Sequence, residues 1–239
     1  LGNCLRGWGQ LAGVVMRGKP ARRRPSVLGV GGDLASFIRA MHEISEPMAM
    51  PLISGLGKLR FSHLLDLGGA SGTWTVPFLR LNPGACATVM DRPEVIPMAR
   101  RLMKKAGLAD RVRLFPGDFM KRALPEGADL AWVSAIVHQN SRAQNRRLFA
   151  KLFSALEPGG LVLIRDIVMD ASRTSPEAGA MFAVNMLVNT AGGGTFTFSE
   201  LRDDLSSAGF SRVRSLRRGQ WMDSVVCASK PSGKIRRKD

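Results

Sequence analysis

The sequence predicts an α/β fold in which helices cover both faces of an open, parallel β-sheet. From position 61, short apolar runs alternate with longer amphipathic segments, the pattern of strands joined by helical crossovers. The short runs are rich in Val, Leu and Ile, as strands buried on both faces require. With 239 residues, 45% of them hydrophobic, the chain has the material for one substantial core and a helical extension.

Each strand and helix is predicted from its own local pattern. The predicted strands are 63–67, 85–90, 111–115, 129–137, 161–169, 211–217 and 222–229. Helices are predicted from near Thr73, over 93–107, from 141 to the stop at 158–160, and over 177–190. Pro93 suits a first helical turn and Gly107 a helix end, so the boundaries carry signals of their own.

The chain before position 50 looks helical and different from the rest. Segments 8–16 and 34–45 read as helices, and the basic, proline-containing stretch 17–26 between them is the best linker candidate. We therefore divide the chain into helical residues 1–50, an α/β domain over 51–230 and a basic tail over 231–239. Because the first residue is Leu1 rather than Met, we expect a part of something longer.

Composition argues against several classes of protein. No apolar run approaches the roughly 20 residues of a membrane span, and the first residues lack the order of a signal peptide, so we expect a soluble, cytoplasmic protein. The cysteines Cys4, Cys86 and Cys227 lie far apart without metal-ligand spacing. We expect neither a disulfide framework nor a metal site.

The formal charge of +16 raises the question of nucleic-acid binding. Ten basic residues lie in two runs, which are Arg17, Lys19, Arg22, Arg23, Arg24 and Lys230, Lys234, Arg236, Arg237, Lys238. Without these and Asp239 the chain keeps 25 basic and 18 acidic residues, a net +7. Such runs are more often solvated tails than binding sites, so we do not expect a nucleic-acid partner.

A glycine-rich loop follows the first predicted strand, at 64–72, and leads into a helix. Gly68, Gly69 and Gly72 permit a tight turn and a close approach of backbone amides to a ligand. Asp66, at the strand end, can accept a hydrogen bond from a cationic amino group, directly or through water. A glycine-rich loop indicates a ligand site only where it follows a strand and leads into a helix, as it does here.

Acidic residues also stand at the ends of the next two strands. Asp91 is placed to hold a ribose diol, and Asp118 with Phe119 to take the amine and the flat face of a purine. Each signal alone is weak, and Asp118 also fits a helix cap. Together they favour an adenosine-containing cofactor. Because the loop lacks the GxGxxG fingerprint of NAD sites, the sequence predicts S-adenosylmethionine.

At this point the chain resembles the plant-type and hydroxyindole (acetylserotonin) O-methyltransferases, including bacterial relatives that act on aromatic and polyketide hydroxyls. The segments that carry the resemblance are WGQLAGVVMRGKP, FIRAM, LLDLGGASG, MDRPEV, GDFM, VSAIVHQNS, EPGGLVLIRDIV, MLVNTAGGGTFT and ELRDDLSSAGF. The resemblance implies a Rossmann-like sheet with one antiparallel strand. It also implies an N-terminal dimerisation domain, mostly missing here, and a homodimeric full-length protein. The implied reaction moves a methyl group from S-adenosylmethionine to a hydroxyl of a small acceptor, leaving S-adenosylhomocysteine, without a metal.

The resemblance also assigns roles to residues. His138 would be the general base, since a phenol with a pKa of about 10 needs its proton removed, and Asp166 would orient it. Arg92 and Ser134 occupy positions that help hold the cofactor. The substrate-lining positions are Met41, Phe182, Met186 and Asn189. A structural role stays open for each: Asp166 can pair with Arg165, and the stripe on 177–190 can be plain core. His63 fits a sheet edge, and His42 can pack or approach substrate.

Departures from the family's pattern keep two alternatives open. Gln139 stands where many members have Asp, Asn140 where they have an aromatic residue, Thr195 where they have Glu and Ser134 where they have Lys. One alternative is a family member that binds the cofactor but no longer methylates. The other is a nucleic-acid methyltransferase, suggested by the charge but not by the 6% of aromatic residues or any binding module.

Overall fold

The fold is a seven-stranded sheet between two layers of helices, seen in a computed structural model that describes residues 2–22 and 24–233. Nine strands occur in this part of the chain: β1 (His63–Leu67), β2 (Cys86–Asp91), β3 (Val112–Pro116), β4 (Ala128–Ser134), β5 (Leu156–Asp166), β6 (Val168–Met169), β7 (Phe196–Thr197), β8 (Ser211–Arg217) and β9 (Ser224–Ser229). The large sheet has the order β3-β2-β1-β4-β5-β9-β8, and β6 pairs separately with β7. Only β9 runs antiparallel to its neighbours β5 and β8 in the large sheet described here. The predicted α/β class and its single antiparallel strand are confirmed.

Eight α-helices accompany these strands in the described residues. They are α1 (Gly2–Trp8), α2 (Leu11–Arg17), α3 (Gly29–Gly55), α4 (Thr75–Leu81), α5 (Ile96–Lys105), α6 (Arg142–Ala155), α7 (Glu177–Asn189) and α8 (Phe198–Ser207). None of the helices in these parts of the chain is both long and apolar enough to cross a membrane.

The core has two halves, one on each face of the sheet, because successive residues of a strand point to opposite faces. Leu64, Trp132 and Leu163 pack with α3 and α4 on one face. The next residues on the same strands, including Leu65 and Ile164, pack with α6 and α8 on the other. This alternation decides which face each polar residue at the strand ends occupies.

Two predicted strands were too long at their carboxyl ends. The strand predicted at 129–137 ends at Ser134, because Ala135 takes a left-handed φ of 59° that breaks the extended chain. The run predicted at 161–169 is divided: β5 begins earlier, at Leu156, and ends at Asp166, while Val168–Met169 belong to the small sheet. An apolar run alone does not reveal where the chain leaves the sheet.

The helices begin and end close to the predicted positions. Helix α6 starts behind a capping box, in which Ser141 accepts from the Gln144 amide and the Gln144 side chain accepts from the Ser141 amide. Helix α7 covers all of its predicted range except residue 190. Helix α5 is shorter than 93–107, because residues 93–95 form the turn that leads from β2 into the helix.

The N-terminal part is helical as predicted, with different boundaries. The segment at 8–16 is split into α1 and α2 at Gly9 and Gln10, and α3 runs past residue 50, through Pro47 and Pro51. The first helix packs on α7, where Trp8 Nε1 donates to Asn185 Oδ1 at 3.1 Å.

The two basic runs lie partly outside the described residues, namely Arg23 and residues 234–239. Lys230, counted in the second run, is part of the fold. Its Nζ donates to the Leu156 carbonyl at 2.6 Å and lies 5.0 Å from the centroid of the Phe153 ring.

Candidate active site

The glycine-rich loop between β1 and α4 is a tight turn with three left-handed residues. Gly68, Ala70 and Gly72 have φ values of 65°, 50° and 81°. A Cβ on Gly68 would lie 2.4 Å from Ile136 Cδ1 and 3.4 Å from Phe119 Cε1. The loop therefore needs glycine at position 68 both for its conformation and because the segments after β4 and β3 close against it.

Asp66 is buried under this loop with one half of its carboxylate unused. Oδ2 accepts a hydrogen bond from Thr75 Oγ1 at 2.6 Å, while Oδ1 is buried and has no partner among the described residues. Burial raises the pKa of Asp66 to about 7, against the hydrogen bond from Thr75 and with a smaller contribution from the charge of Asp91. A cationic group next to Oδ1 would satisfy this carboxylate.

Asp91 closes the loop from the end of β2. Its Oδ2 accepts from the Ala70 amide at 2.8 Å and its Oδ1 from the Arg92 amide at 2.7 Å. Burial raises the pKa of the Asp91 carboxyl, while the hydrogen bonds from both amides oppose that shift. Each oxygen keeps acceptor capacity for one more donor, as a diol requires. The contribution of Arg92 seen here is its amide, since its side chain is exposed.

The end of β3 has the geometry of a turn. Asp118 Oδ1 accepts from the Met120 amide at 2.9 Å, and its Oδ2 lies 3.6 Å from Lys121 Nζ. Asp118 thus caps a turn, and since no helix follows it directly in the described residues, the helix cap that the sequence also allowed is not formed. Phe119 is partly buried, reaches the Gly68 side of the loop and has its carbonyl bound by Lys151 Nζ.

The long helix α3 is tied to the loop by a histidine. His42 Nδ1 lies 2.8 Å from Thr73 Oγ1, which lies 2.8 Å from Ser71 Oγ. Of the two interpretations of His42, this contact favours packing against the cofactor loop. His63 begins β1, at the opposite end of the strand from the loop. Its Nε2 lies 2.8 Å from Thr88 Oγ1 on the neighbouring strand β2. This position fits the expected place of His63 at an edge of the sheet.

His138 and Asp166 form a buried pair at the ends of neighbouring strands. His138 lies in a short 3-10 turn after β4 rather than in the strand itself. Its Nδ1 is 2.9 Å from Asp166 Oδ1 and 3.0 Å from Oδ2, and the Ile167 amide donates to Oδ1 at 2.8 Å. A carboxylate can only accept here, so Nδ1 carries the hydrogen and Nε2 presents its lone pair. Among the described residues, Nε2 has no hydrogen-bond partner.

Helix α7 covers the histidine with an aromatic ring. The Phe182 and His138 rings meet edge to face with centroids 4.9 Å apart. Met186, one turn further, is buried, and Asn189 donates to the Asn185 carbonyl at 2.9 Å. Met41 is 38% exposed on α3. The structure therefore places Phe182 at the histidine, while Asn189 is engaged with its own helix.

Arg165 does not pair with Asp166, because adjacent residues of β5 point to opposite faces. Its Nη1 donates to Ser134 Oγ at 3.0 Å, and its Nη2 contacts Met48 Sδ at 3.4 Å. The guanidinium carbon lies 4.2 Å from the centroid of the Trp74 ring. Ser134, predicted to help hold the cofactor, is thus covered by a cation from the neighbouring strand, an arrangement that no sequence motif indicated.

Of the residues that depart from the family's pattern, Gln139 and Asn140 support the turn around His138, whereas Thr195 contacts Arg173. Gln139 is exposed and donates to the Ala135 carbonyl at 2.7 Å. Asn140 is buried and donates to Asn145 Oδ1 at 3.1 Å. The Thr195 carbonyl accepts from Arg173 at 3.2 Å. None of these three contacts involves the His138 ring.

The carboxyl edge of the sheet fits an adenosine cofactor with a cationic end. The orphaned Asp66 Oδ1 suits an ammonium group, and Asp91 suits a diol. Nothing in the sequence indicates that Thr75 binds Asp66, because it lies nine positions later, in a helix. These side chains meet because parallel strands end at one edge.

Comparisons with known proteins identify the family of this chain. The profile of a family described as the O-methyltransferase domain matches residues 30–211. The chain is 32% identical over 187 residues to the 3-hydroxy-5-methyl-1-naphthoate 3-O-methyltransferase of Streptomyces sahachiroi, covering 78% of this chain and 54% of that protein. It is 33% identical over 214 residues to the tetracenomycin polyketide synthesis 8-O-methyl transferase TcmO of Streptomyces glaucescens, covering 87% and 62%.

A solved structure agrees with them. Human N-acetylserotonin methyltransferase in complex with SAM has a TM-score of 0.78 and 25% identity to this chain, covering 95% of this chain and 67% of that one. The chain spans 54% of the length of the first Streptomyces relative and 62% of the length of the second. With a profile match over most of its residues and the same fold, the chain belongs to the O-methyltransferase domain family.

Proposed function

We propose that the protein transfers the methyl group of S-adenosylmethionine to a hydroxyl of a small aromatic or polyketide-like acceptor, with His138 as the general base. The observation that carries this proposal is the buried His138–Asp166 pair, whose free Nε2 lies at the same sheet edge as the glycine-rich loop. S-adenosylmethionine, when bound, supplies an electrophilic methyl group on a sulfonium that leaves readily.

His138 acts by removing the acceptor proton. Asp166 holds the ring through Nδ1, and its own position is fixed by the Ile167 amide, so Nε2 keeps its lone pair and its direction. When Nε2 takes the proton, the carboxylate stabilises the imidazolium that forms. Phe182 packs edge-on against the ring and limits its rotation. Alignment of the acceptor oxygen at this point contributes much of the rate.

The cofactor is held by the loop and the two carboxylates beneath it. Asp91 takes the ribose diol, Asp66 takes the amino group, and Phe119 lines the adenine side, with Asp118 shaping that turn. The acceptor lies against Phe182 and Met186 of α7, with Asn189 on the same helix and Met41 on α3. The names of the two Streptomyces relatives support a hydroxylated aromatic or polyketide acceptor.

The division of the chain and its assembly belong to the same proposal. Residues 1–50 are a helical linker and a remnant of a dimerisation region, residues 51–230 the S-adenosylmethionine-binding catalytic domain and residues 231–239 a basic tail. The full-length protein is a cytoplasmic homodimer that needs no metal and no nucleic acid. Light scattering of the full-length protein tests the dimer.

Incubation with labelled S-adenosylmethionine and a panel of phenols, hydroxyindoles and hydroxyquinones tests the reaction. We expect label in an acceptor that carries a free hydroxyl and none in the same acceptor with that hydroxyl blocked. Cofactor binding measured by calorimetry without transfer to any acceptor would favour a member that no longer methylates. Salt-dependent, submicromolar RNA binding after removal of both basic runs would favour the nucleic-acid alternative.

A further inference from the structure

The buried guanidinium of Arg165 lacks an anionic partner. Arg165 is 5% exposed, and none of the ion pairs between described residues includes it. Its Nε is buried and makes no hydrogen bond in the part of the chain described here. Stacking on Trp74 and the Ser134 hydroxyl offset part of the desolvation cost, but a buried cation ordinarily requires a countercharge.

Burial lowers the pKa of Arg165 to about 10, and the more distant carboxylates of Asp166 and Asp223 only partly oppose this. The group still carries its charge at neutral pH. The surrounding protein therefore holds a permanent cation in a partly apolar setting. Such a position is unfavourable unless an anion is brought to it.

A buried carboxylate that lacks a cationic partner lies on the same face of the sheet. Asp66 follows the alternation of β1 onto the face of α3 and α4, as Ser134 does on β4 and Arg165 on β5. β4 lies between β1 and β5, and neighbouring strands are about 4.8 Å apart, so the strands of Asp66 and Arg165 are about 10 Å apart. Arg165 Nη1 donates to Ser134 Oγ on this middle strand, on the side of β5 that faces β1, where Asp66 Oδ1 is unpaired.

An unpaired carboxylate oxygen on β1 and an unpaired guanidinium nitrogen on β5, the two strands that flank β4, match the two charges of an α-amino acid. We infer that Arg165 binds the carboxylate of the cofactor's amino-acid end, while Asp66 binds its ammonium group. This inference rests on the proposed function, because it assigns the carboxylate to the methionine part of S-adenosylmethionine. Trp74 and Ser134 hold the guanidinium in place and Met48 covers it, so they are positioning residues for this contact.

Three ligands separate the carboxylate from the rest of the cofactor. S-adenosylhomocysteine carries both charges, its decarboxylated analogue keeps only the amine, and 5′-methylthioadenosine has neither. Calorimetry with wild-type protein should give about 10- to 100-fold weaker binding when the carboxylate is removed, the usual loss for hydrogen bonds to a charged group. This comparison uses no variant and so does not depend on folding.

Arg165→Met then tests the residue. We expect S-adenosylhomocysteine affinity to fall about 10- to 100-fold, while affinity for the decarboxylated analogue and for 5′-methylthioadenosine stays within about twofold. Unchanged 5′-methylthioadenosine binding also shows that the variant is folded. Arg101→Met, on the exposed face of α5, is the matched control and should change none of the three affinities.

Two results would overturn the inference while leaving the proposed function intact. One is an equal loss for all three ligands in Arg165→Met. The other is full S-adenosylhomocysteine affinity in that variant. If the same variant also bound a hydroxynaphthoate more weakly than a naphthol, Arg165 would be assigned to a carboxylate of the acceptor. If wild-type protein bound none of the three ligands, the proposed function itself would fall.

Discussion

His138 and Asp166, 28 residues apart in the chain, face each other with Nδ1 2.9 Å and 3.0 Å from the two carboxylate oxygens. They meet because β4 and β5 are parallel neighbours and the chain turns back over the sheet directly after Ser134. The segment with Gly193 and Gly194 packs against this turn. The Gly194 amide donates to the His138 carbonyl at 3.0 Å, and a Cβ on Gly193 would lie 2.4 Å from that carbonyl oxygen. The contacts that hold the pair in place therefore come from the protein itself.

Replacing His138 by Gln should separate binding from chemistry. If the imidazole removes the acceptor proton, kcat should fall by roughly 100-fold or more while S-adenosylmethionine affinity stays nearly intact. The loss should shrink for acceptors with a phenol pKa near 7, which are half ionised at neutral pH. Turnover of a weakly acidic phenol at the wild-type rate would show that His138 is not the base. Gln139→Ala is the control and should stay within about twofold, because the Gln139 side chain is exposed and bonds the Ala135 carbonyl rather than the His138 ring.

Replacing Asp166 by Asn should give a smaller defect of the same kind. The amide no longer selects the tautomer with hydrogen on Nδ1, but the base itself remains, so we expect kcat to fall by about 10-fold. The double variant with His138→Gln should be no slower than His138→Gln alone, since both changes act on one group. Fully additive losses would give Asp166 a separate role. Asp203→Asn, exposed on α8, is the matched control.

Replacing Asp91 by Ala should weaken cofactor binding by about 1 to 3 kcal/mol, the usual worth of hydrogen bonds to a charged group. The variant also loses the acceptor for the Ala70 amide, so Asp91→Asn, which keeps one acceptor oxygen, should lie between it and wild type. Calorimetry with S-adenosylhomocysteine and with adenine alone should show the loss only for the ligand that has a ribose. Asp110→Asn, on the exposed turn before β3, serves as the control.

Cofactor binding should release a proton from Asp66. Burial raises the folded-state pKa from 3.8 to about 7, so the stability contributed by this group is present below about pH 4 and is lost as pH rises towards 7. A bound ammonium group reverses this shift, and affinity should therefore rise with pH between about 4 and 7. Calorimetry at pH 6 in two buffers with different ionisation heats measures the released proton. Asp66→Asn should abolish the release, and 5′-methylthioadenosine, which lacks the ammonium group, should not cause it.

Replacing Gly68 by Ala should destabilise the fold before it affects any ligand. The residue has a φ of 65°, and the new Cβ would lie 2.4 Å from Ile136 Cδ1. We expect the free energy of unfolding to fall by about 2 kcal/mol or more, measured by urea denaturation. Ile136→Val removes Cδ1 and should restore part of the loss in the double variant. If the double variant were no more stable than Gly68→Ala, the backbone conformation alone would account for the effect.

Local patterns in the sequence determined the α/β class, the strand positions and the motif residues. Val- and Leu-rich runs of 5 to 9 residues between amphipathic helices favour a parallel sheet covered on both faces, because both faces of each strand must be buried. The loop at 64–72 and the acidic residues at strand ends could be assigned for the same reason, since a parallel sheet gathers its carboxyl ends at one edge. The ends of strands were less predictable, and the turn at Ala135 left no mark in the apolar run.

Only the tertiary structure decided which of these residues meet and which face of the sheet each occupies. Nothing local in the sequence decides whether Asp166 pairs with His138 or with the neighbouring Arg165. The alternation of β5 sends Asp166 to the histidine and Arg165 to Trp74 on the other face. Likewise, Asp66 Oδ1 lacks a partner among the described residues because Thr75 binds the other oxygen and the loop buries the carboxylate. Contacts between residues distant in the chain follow from packing, and packing is fixed by all elements together rather than by any one segment.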